Sequence, residues 1–327
     1  MIRSSHVGSF PLEHSEENVE RALVDLYEVG LDVPPYPQLR GFIDIFLSPL
    51  VKAGLLALER GFYVVRNLDT ALIRSHHARI EEAELSVNIV KRRGLKFVGL
   101  RAPITGPFTL ASRIYIEPGK TDLSNTLLTR KDLVKELASS YVSKYVEHVV
   151  GLGYSVIFLD EPMLGVIVGS RRNLFGYTDD EIVEILESIT NRAPGVEVGV
   201  HVCGRIHRRI LEVLSQIDRV KYLSLEFHDN PSNIEAIDRS LLEKYDKIVS
   251  PGIVSSRVPK LESIDEAFSI LNKVYSTAGG RVDLVSADCG FAGLRGAFKT
   301  SEEDYQLALA KLRVVVEAVK RLKAISK

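Results

Sequence analysis

Tryptophan is absent from this chain, and methionine and cysteine occur only twice each in 327 residues. Two cysteines, Cys203 and Cys289, could form one disulfide at most, and an expected cytosolic setting argues against that one. Scarce methionine beside plentiful Glu, Lys, Arg, Ile and Val points to a heat-adapted source, in which thermolabile side chains are depleted. Two thiols kept in such a chain gain weight as functional groups; the alternative is a pair of inert, buried ones. No stretch approaches the ~20 uninterrupted apolar residues that a membrane span needs. The opening MIRSSHVGSF lacks the apolar core of a secretory signal. A soluble, cytoplasmic protein is expected. Charge of either sign is not in excess: 42 Lys and Arg face 43 Asp and Glu, a formal net charge of −1. No global field therefore favours nucleic acid or an anionic membrane.

Short apolar runs rich in β-branched residues alternate with longer helical patterns, the signature of parallel βα units. Candidate strands lie at 3–9, 61–66, 96–102, 154–160, 196–203, 219–226, 247–254 and 281–288. Helical patterns fall at 130–151, 179–190, 206–217, 264–276 and 302–325, with Thr178 and Ser301 as N-caps before acidic first turns. Internal repeats and long linkers are missing. The spacing therefore predicts one α/β domain over residues 1–327, a single (β/α)₈ TIM barrel with an N-terminal helical extension and long βα loops. Residues 11–60 are less regular and include the PPYP run at Pro34 to Pro37, and 103–128 is expected to overhang one end of the barrel.

Catalytic groups in such barrels come from the C-terminal ends of strands. The fourth candidate strand ends in Asp160-Glu161, the fifth in His201-Val202-Cys203, the sixth in Glu226-Phe227-His228 and the eighth in Asp288-Cys289. Residues two apart on a strand point the same way, so His201 and Cys203 face the mouth together. Glu226 ends the neighbouring strand, about 4.8 Å away, and Cys289 closes the set from the eighth. Imidazole, thiolate and carboxylate in one place suit zinc.

These residues carry a resemblance. HVGSFP at 6–11, TGPFTLA at 105–111, LDEP at 159–162, HVCG at 201–204, SLE at 224–226 and ADCGF at 287–291 resemble the cobalamin-independent methionine synthase family, in its C-terminal catalytic barrel and in family order. The resemblance implies a methyltransferase that binds zinc through His201, Cys203, Glu226 and Cys289 and activates homocysteine. It assigns the substrate amino group to Asp160 and the substrate carboxylate to the loop of Gly8 and Ser9. The family carboxylate after the second strand falls near Asp69. A thiol bound to zinc loses its proton and is held as the nucleophile.

Two departures bear on the methyl donor. The second, N-terminal barrel that helps full-length relatives hold polyglutamyl folate has no room here. Where the family carries an Asp and a His associated with protonating folate, this chain reads SPGIVSSRVP, with Ser255 and Ser256. A methyl group leaving folate nitrogen needs a general acid; one leaving corrinoid cobalt does not. A methylcorrinoid, delivered by another protein, is thus favoured over methyltetrahydrofolate or another pterin, with His228 as the substitute acid if folate is used. The rival readings are a corrinoid-dependent methyltransferase for another thiol such as coenzyme M, a metal-free uroporphyrinogen decarboxylase-like enzyme, and a non-catalytic zinc-binding accessory subunit.

Overall fold

The computed structural model describes residues 2–326. Its strands, in chain order, are β1 (Leu56–Glu59), β2 (Phe62–Val65), β3 (Arg101–Thr105), β4 (Ile114–Tyr115), β5 (Val156–Asp160), β6 (Glu197–Val202), β7 (Tyr222–Glu226) and β8 (Ile248–Gly252). Five of them form one parallel sheet in the order β3, β5, β6, β7, β8. Three further extended segments extend this sheet through single parallel bridges. Val249 and Gly252 bridge to Val282 and Ser286, Val285 to Ser4, Ser5 to Val33, and Pro35 to Arg101. Following these pairs leads back to β3 after eight staves, so the ring closes as the expected (β/α)₈ barrel.

Staves buried on both faces read as continuous apolar runs, and every residue of β5 (VIFLD) and β7 (YLSLE) is buried. Two cores result. The larger packs helices against the outside of the ring. The smaller joins Val33, Val156, Phe158, Tyr222 and Leu284, drawn from four of the staves, with Ile248 packed against it. The crossover helices carry their stop and start signals locally. Thr178 forms a capping box with Glu181 at the head of Asp179–Thr190, and Ser263 forms one with Glu266 before Ile264–Thr277. The last helix is capped by Thr300, which pairs with Glu303, so Ser301 is its first residue rather than its cap.

The second stave departs from the sequence reading. Residues 61–66 hold β2, which pairs antiparallel with β1 and parallel with β4 in a separate three-stranded sheet. The barrel position belongs to 33–35, inside the proline-rich run. The ladder bypasses the missing proline N–H groups: Pro34 O accepts from Arg101 N at 2.9 Å, and Tyr36 N donates to Arg101 O at 3.2 Å. Nor is 103–128 one open loop. β3 continues to Thr105, the helix Pro107–Ala111 follows, and β4 joins the accessory sheet. Among the described residues no helix is long and apolar enough to cross a membrane.

Candidate metal centre

At the C-terminal mouth of the barrel a cavity of about 350 Å³ is lined by Ser9, Gln38, Asp160, His201, Cys203, Glu226, Arg257 and Cys289, among others. Concavities of about 650 and 1020 Å³ lie elsewhere, but neither lining includes a thiol or an imidazole. Size therefore does not locate the chemistry here; side-chain type does.

His201 and Cys203 come from the end of β6 and the residue just beyond it, and Cys289 follows the eighth stave. His201 Nε2 lies 2.9 Å from Cys203 Sγ, and the two sulfurs are 3.0 Å apart without a disulfide. The ligand atoms of these three residues all lie within 4.8 Å of one another. On its other side His201 Nδ1 meets Ser224 Oγ of β7 at 2.9 Å, which fixes the ring and leaves Nε2 to the thiols. The mutual hydrogen bond of the thiols holds Cys289 well below the usual thiol range, and the same bond pushes Cys203 up. Two sulfurs and one imidazole nitrogen converging from the ends of β6 and the eighth stave are a donor set that suits a soft divalent ion such as zinc.

Asp160 ends β5 beside His201, in direct register. It is 5% exposed, and among the described residues its Oδ1 has no hydrogen-bond partner. Burial pushes its carboxyl up to about 7, against the pull of His201 and Arg101. An unpaired carboxylate oxygen at the edge of a cavity is an acceptor held ready for a cation. Its neighbour Glu161 has a different task. It is fully buried and accepts from Phe108 N and Thr109 N at 2.9 Å and from Thr109 Oγ1 at 2.6 Å. A side chain on Gly106 would collide with that carboxylate. The GPFT and DEP segments are therefore two halves of one brace.

The remaining expected site residues divide. Ser9 lines the cavity, and its Oγ accepts from Ala292 N at 3.2 Å, tying the first stave to the loop that bears Cys289. Gly8 lies behind it with φ +156°, where a Cβ would stand 2.7 Å from Gln38 Oε1. Gln38, which the sequence reading passed over, is 3% exposed and lines the same wall. Its signal was hidden because the second stave had been placed elsewhere. For the same reason Asp69 is corrected: it is exposed and caps the helix Thr70–Ser75 through Ala71 N, outside the cavity lining. His228 is also displaced from its expected role. Its Nδ1 lies 3.0 Å from Asp229 Oδ1 and its Nε2 3.5 Å from Glu262, and it is not part of the cavity wall. Glu226, at the end of β7, is buried and lines the cavity, but it does not join the three-residue donor group; its oxygens face Arg257 and Asn230. Of the two serines, Ser256 lines the cavity and Ser255 turns inward to Asp229.

Comparison with known proteins places the chain among relatives. Residues 71–320 match the profile described as the cobalamin-independent synthase catalytic domain. A methionine synthase of Methanothermobacter thermautotrophicus is 28% identical over 285 residues, covering 84% of this chain and 82% of that one. One from Methanocaldococcus jannaschii is 25% identical and covers 97% and 98%. The 5-methyltetrahydropteroyltriglutamate–homocysteine methyltransferase of Nitratidesulfovibrio vulgaris is 25% identical over 71% of this chain but only 27% of its own length. Among solved structures, a B12-independent methionine synthase from Shewanella sp. W3-18-1 aligns with a TM-score of 0.67 at 16% identity, covering 100% and 99%. A Methanosarcina mazei methyltransferase aligns at 0.62 and 15%, covering 98% and 94%.

Proposed function

The chain belongs to the cobalamin-independent synthase catalytic-domain family, and on that premise we propose that it is a zinc-dependent methyltransferase acting on homocysteine, with residues 1–327 as one catalytic barrel. The observation that carries the reading is the convergence of His201, Cys203 and Cys289 in the same cavity as the unpaired Asp160 oxygen. His201, Cys203 and Cys289 would hold the metal, with Glu226 beside them. A bound zinc supplies thiol acidity, keeping a substrate sulfur as thiolate at neutral pH. The chain does the rest. Ser224 orients His201, Asp160 Oδ1 accepts from the substrate ammonium, and the wall of Ser9 and Gln38 receives the carboxylate end. The names of the archaeal relatives support the same substrate.

For the donor, a methylcorrinoid is favoured. The thiolate attacks the methyl carbon, the carbon–cobalt bond breaks, and its electron pair stays on cobalt, so no proton is consumed. The cavity wall supports this, since the loop after β8 contributes Ser256 and Arg257 there and His228 stands outside it. Methylated folate is the second reading, favoured by the name of the Nitratidesulfovibrio relative. Purified protein should be assayed with homocysteine and each donor in turn, the corrinoid both free and protein-borne, with zinc measured on the same sample. Turnover with the corrinoid and folate rates lower by about 10²–10⁴ are expected. Efficient folate turnover would reverse the donor assignment, and a metal-free active protein would overturn the zinc chemistry.

A further inference from the structure

Gln38 and Phe42 both line the cavity, and the loop that carries them is tied down beside each of them. Gln38 N donates to Gly8 O at 3.0 Å, and Thr105 Oγ1 donates to Phe42 O at 2.8 Å. Between these ties stands Arg40, which is not part of the cavity lining. Its Nε and Nη2 donate to the two oxygens of Glu82 at 2.5 and 2.7 Å. Glu82 lies in the first turn of the helix Glu81–Arg93 with its side chain fully buried, whereas that of Arg40 is 35% exposed. His14 Nδ1 is 3.7 Å from the same carboxylate. A two-pronged contact between guanidinium and carboxylate fixes direction as well as distance, which a single hydrogen bond does not.

The orientation of the Gln38 amide is fixed in the same loop. Pro103 O can only accept, so Tyr36 Oη donates to it, at 2.5 Å, and must in turn accept from Gln38 Nε2, at 3.4 Å. An amide nitrogen carries two N–H groups, so Nε2 has one more to give. We propose that Arg40 and Glu82 are a positioning pair that holds this N–H toward the carboxylate of the bound thiol, and that Gln38 thereby selects amino-acid thiols over simple aminothiols. The proposal rests on the substrate reading above and adds to it the residues that set its selectivity. Arg40 and Glu82 act through the loop alone, since neither lines the cavity.

Removing one member of the pair would leave the other charge unpaired, so the two are best replaced as a unit, Arg40→Met with Glu82→Met. Exchanging both partners of a buried ion pair for apolar side chains of similar size is often neutral for stability; the fold is kept while the loop is released. Binding of homocysteine and of aminopropanethiol, which is homocysteine without its carboxylate, should be measured by calorimetry on the full zinc-loaded chain, with zinc content and thermal midpoint taken on the same samples. The natural protein should prefer homocysteine by about tenfold or more, the worth of one hydrogen bond to a charged group. The double variant should bind homocysteine about tenfold more weakly and aminopropanethiol unchanged, with zinc retained. Gln38→Leu, with the pair intact, should show the same selective loss. An equal loss for both thiols, or no loss, would overturn the positioning role while leaving the substrate reading intact. Equal affinity of the natural protein for the two thiols would overturn the carboxylate wall itself, and binding of neither would overturn the substrate reading.

Discussion

The two ends of the barrel treat charge in opposite ways. At the floor, Arg3 donates to Glu197 at 2.8 and 3.0 Å and to Asp283 at 2.6 Å, and Tyr222 Oη adds a bond to Glu197 at 2.6 Å. Burial alone would raise the Glu197 carboxyl, but Arg3 and Tyr222 hold it below its ordinary range. Each group there is matched by another from a neighbouring stave. At the mouth, Asp160 keeps an oxygen without a partner among the described residues, and its carboxyl is pushed up to about 7. Two thiols lie 3.0 Å apart beside it. The same ring of strands therefore spends its floor polarity on internal pairing, whereas its mouth pairs Glu226 with Arg257 and leaves the Asp160 oxygen and the two thiols for a ligand. This matches the division in such barrels between a stabilising and a reactive face.

Three substitutions test that division. The largest effect is expected at the mouth, where Cys289→Ser should remove a thiolate ligand and reduce zinc retention by at least about 100-fold, while the thermal unfolding of the metal-free chain stays unchanged. Full zinc content by elemental analysis would break the comparison at its most important point. Next, Asp160→Asn should weaken homocysteine binding by roughly 2–5 kcal/mol, the cost of removing one partner of a buried charge pair, without loss of zinc. Calorimetry with homocysteine and with a thiol lacking the amino group checks this, since the second ligand should be indifferent to the change. Smallest is the floor: Tyr222→Phe should lower unfolding free energy by about 1 kcal/mol, one hydrogen bond's net worth, and leave zinc and homocysteine binding untouched. A defect in binding there would mean that the two ends are coupled.

Most of the site was legible in the sequence because it lies where the ladder is continuous. β5, β6 and β7 are runs of buried β-branched and large apolar residues, so their ends, and with them Asp160, His201, Cys203 and Glu226, were placed by pattern alone. The segment 33–35 gave no such signal. Proline lacks the N–H and the alternation by which a strand is recognised, so β2 took its place in the reading, Asp69 was favoured and Gln38 was missed. His228 shows a different limit. It stands two residues from Glu226 in sequence, yet Asp229 and Glu262 turn it away from the cavity.

By itself the sequence determined which chemistry the protein can hold: two thiols, an imidazole and carboxylates at the ends of parallel strands, with capping boxes at Thr178 and Ser263 to start the crossover helices. Strand alternation and helix capping are local physics, readable within a few residues. Tertiary structure alone decided who partners whom. Arg257 reaches Glu226 across 31 positions, and Arg3 reaches Asp283 across 280. Such pairs are fixed by ring closure and burial, where a carboxylate taken out of water must find its cation wherever the fold brings one.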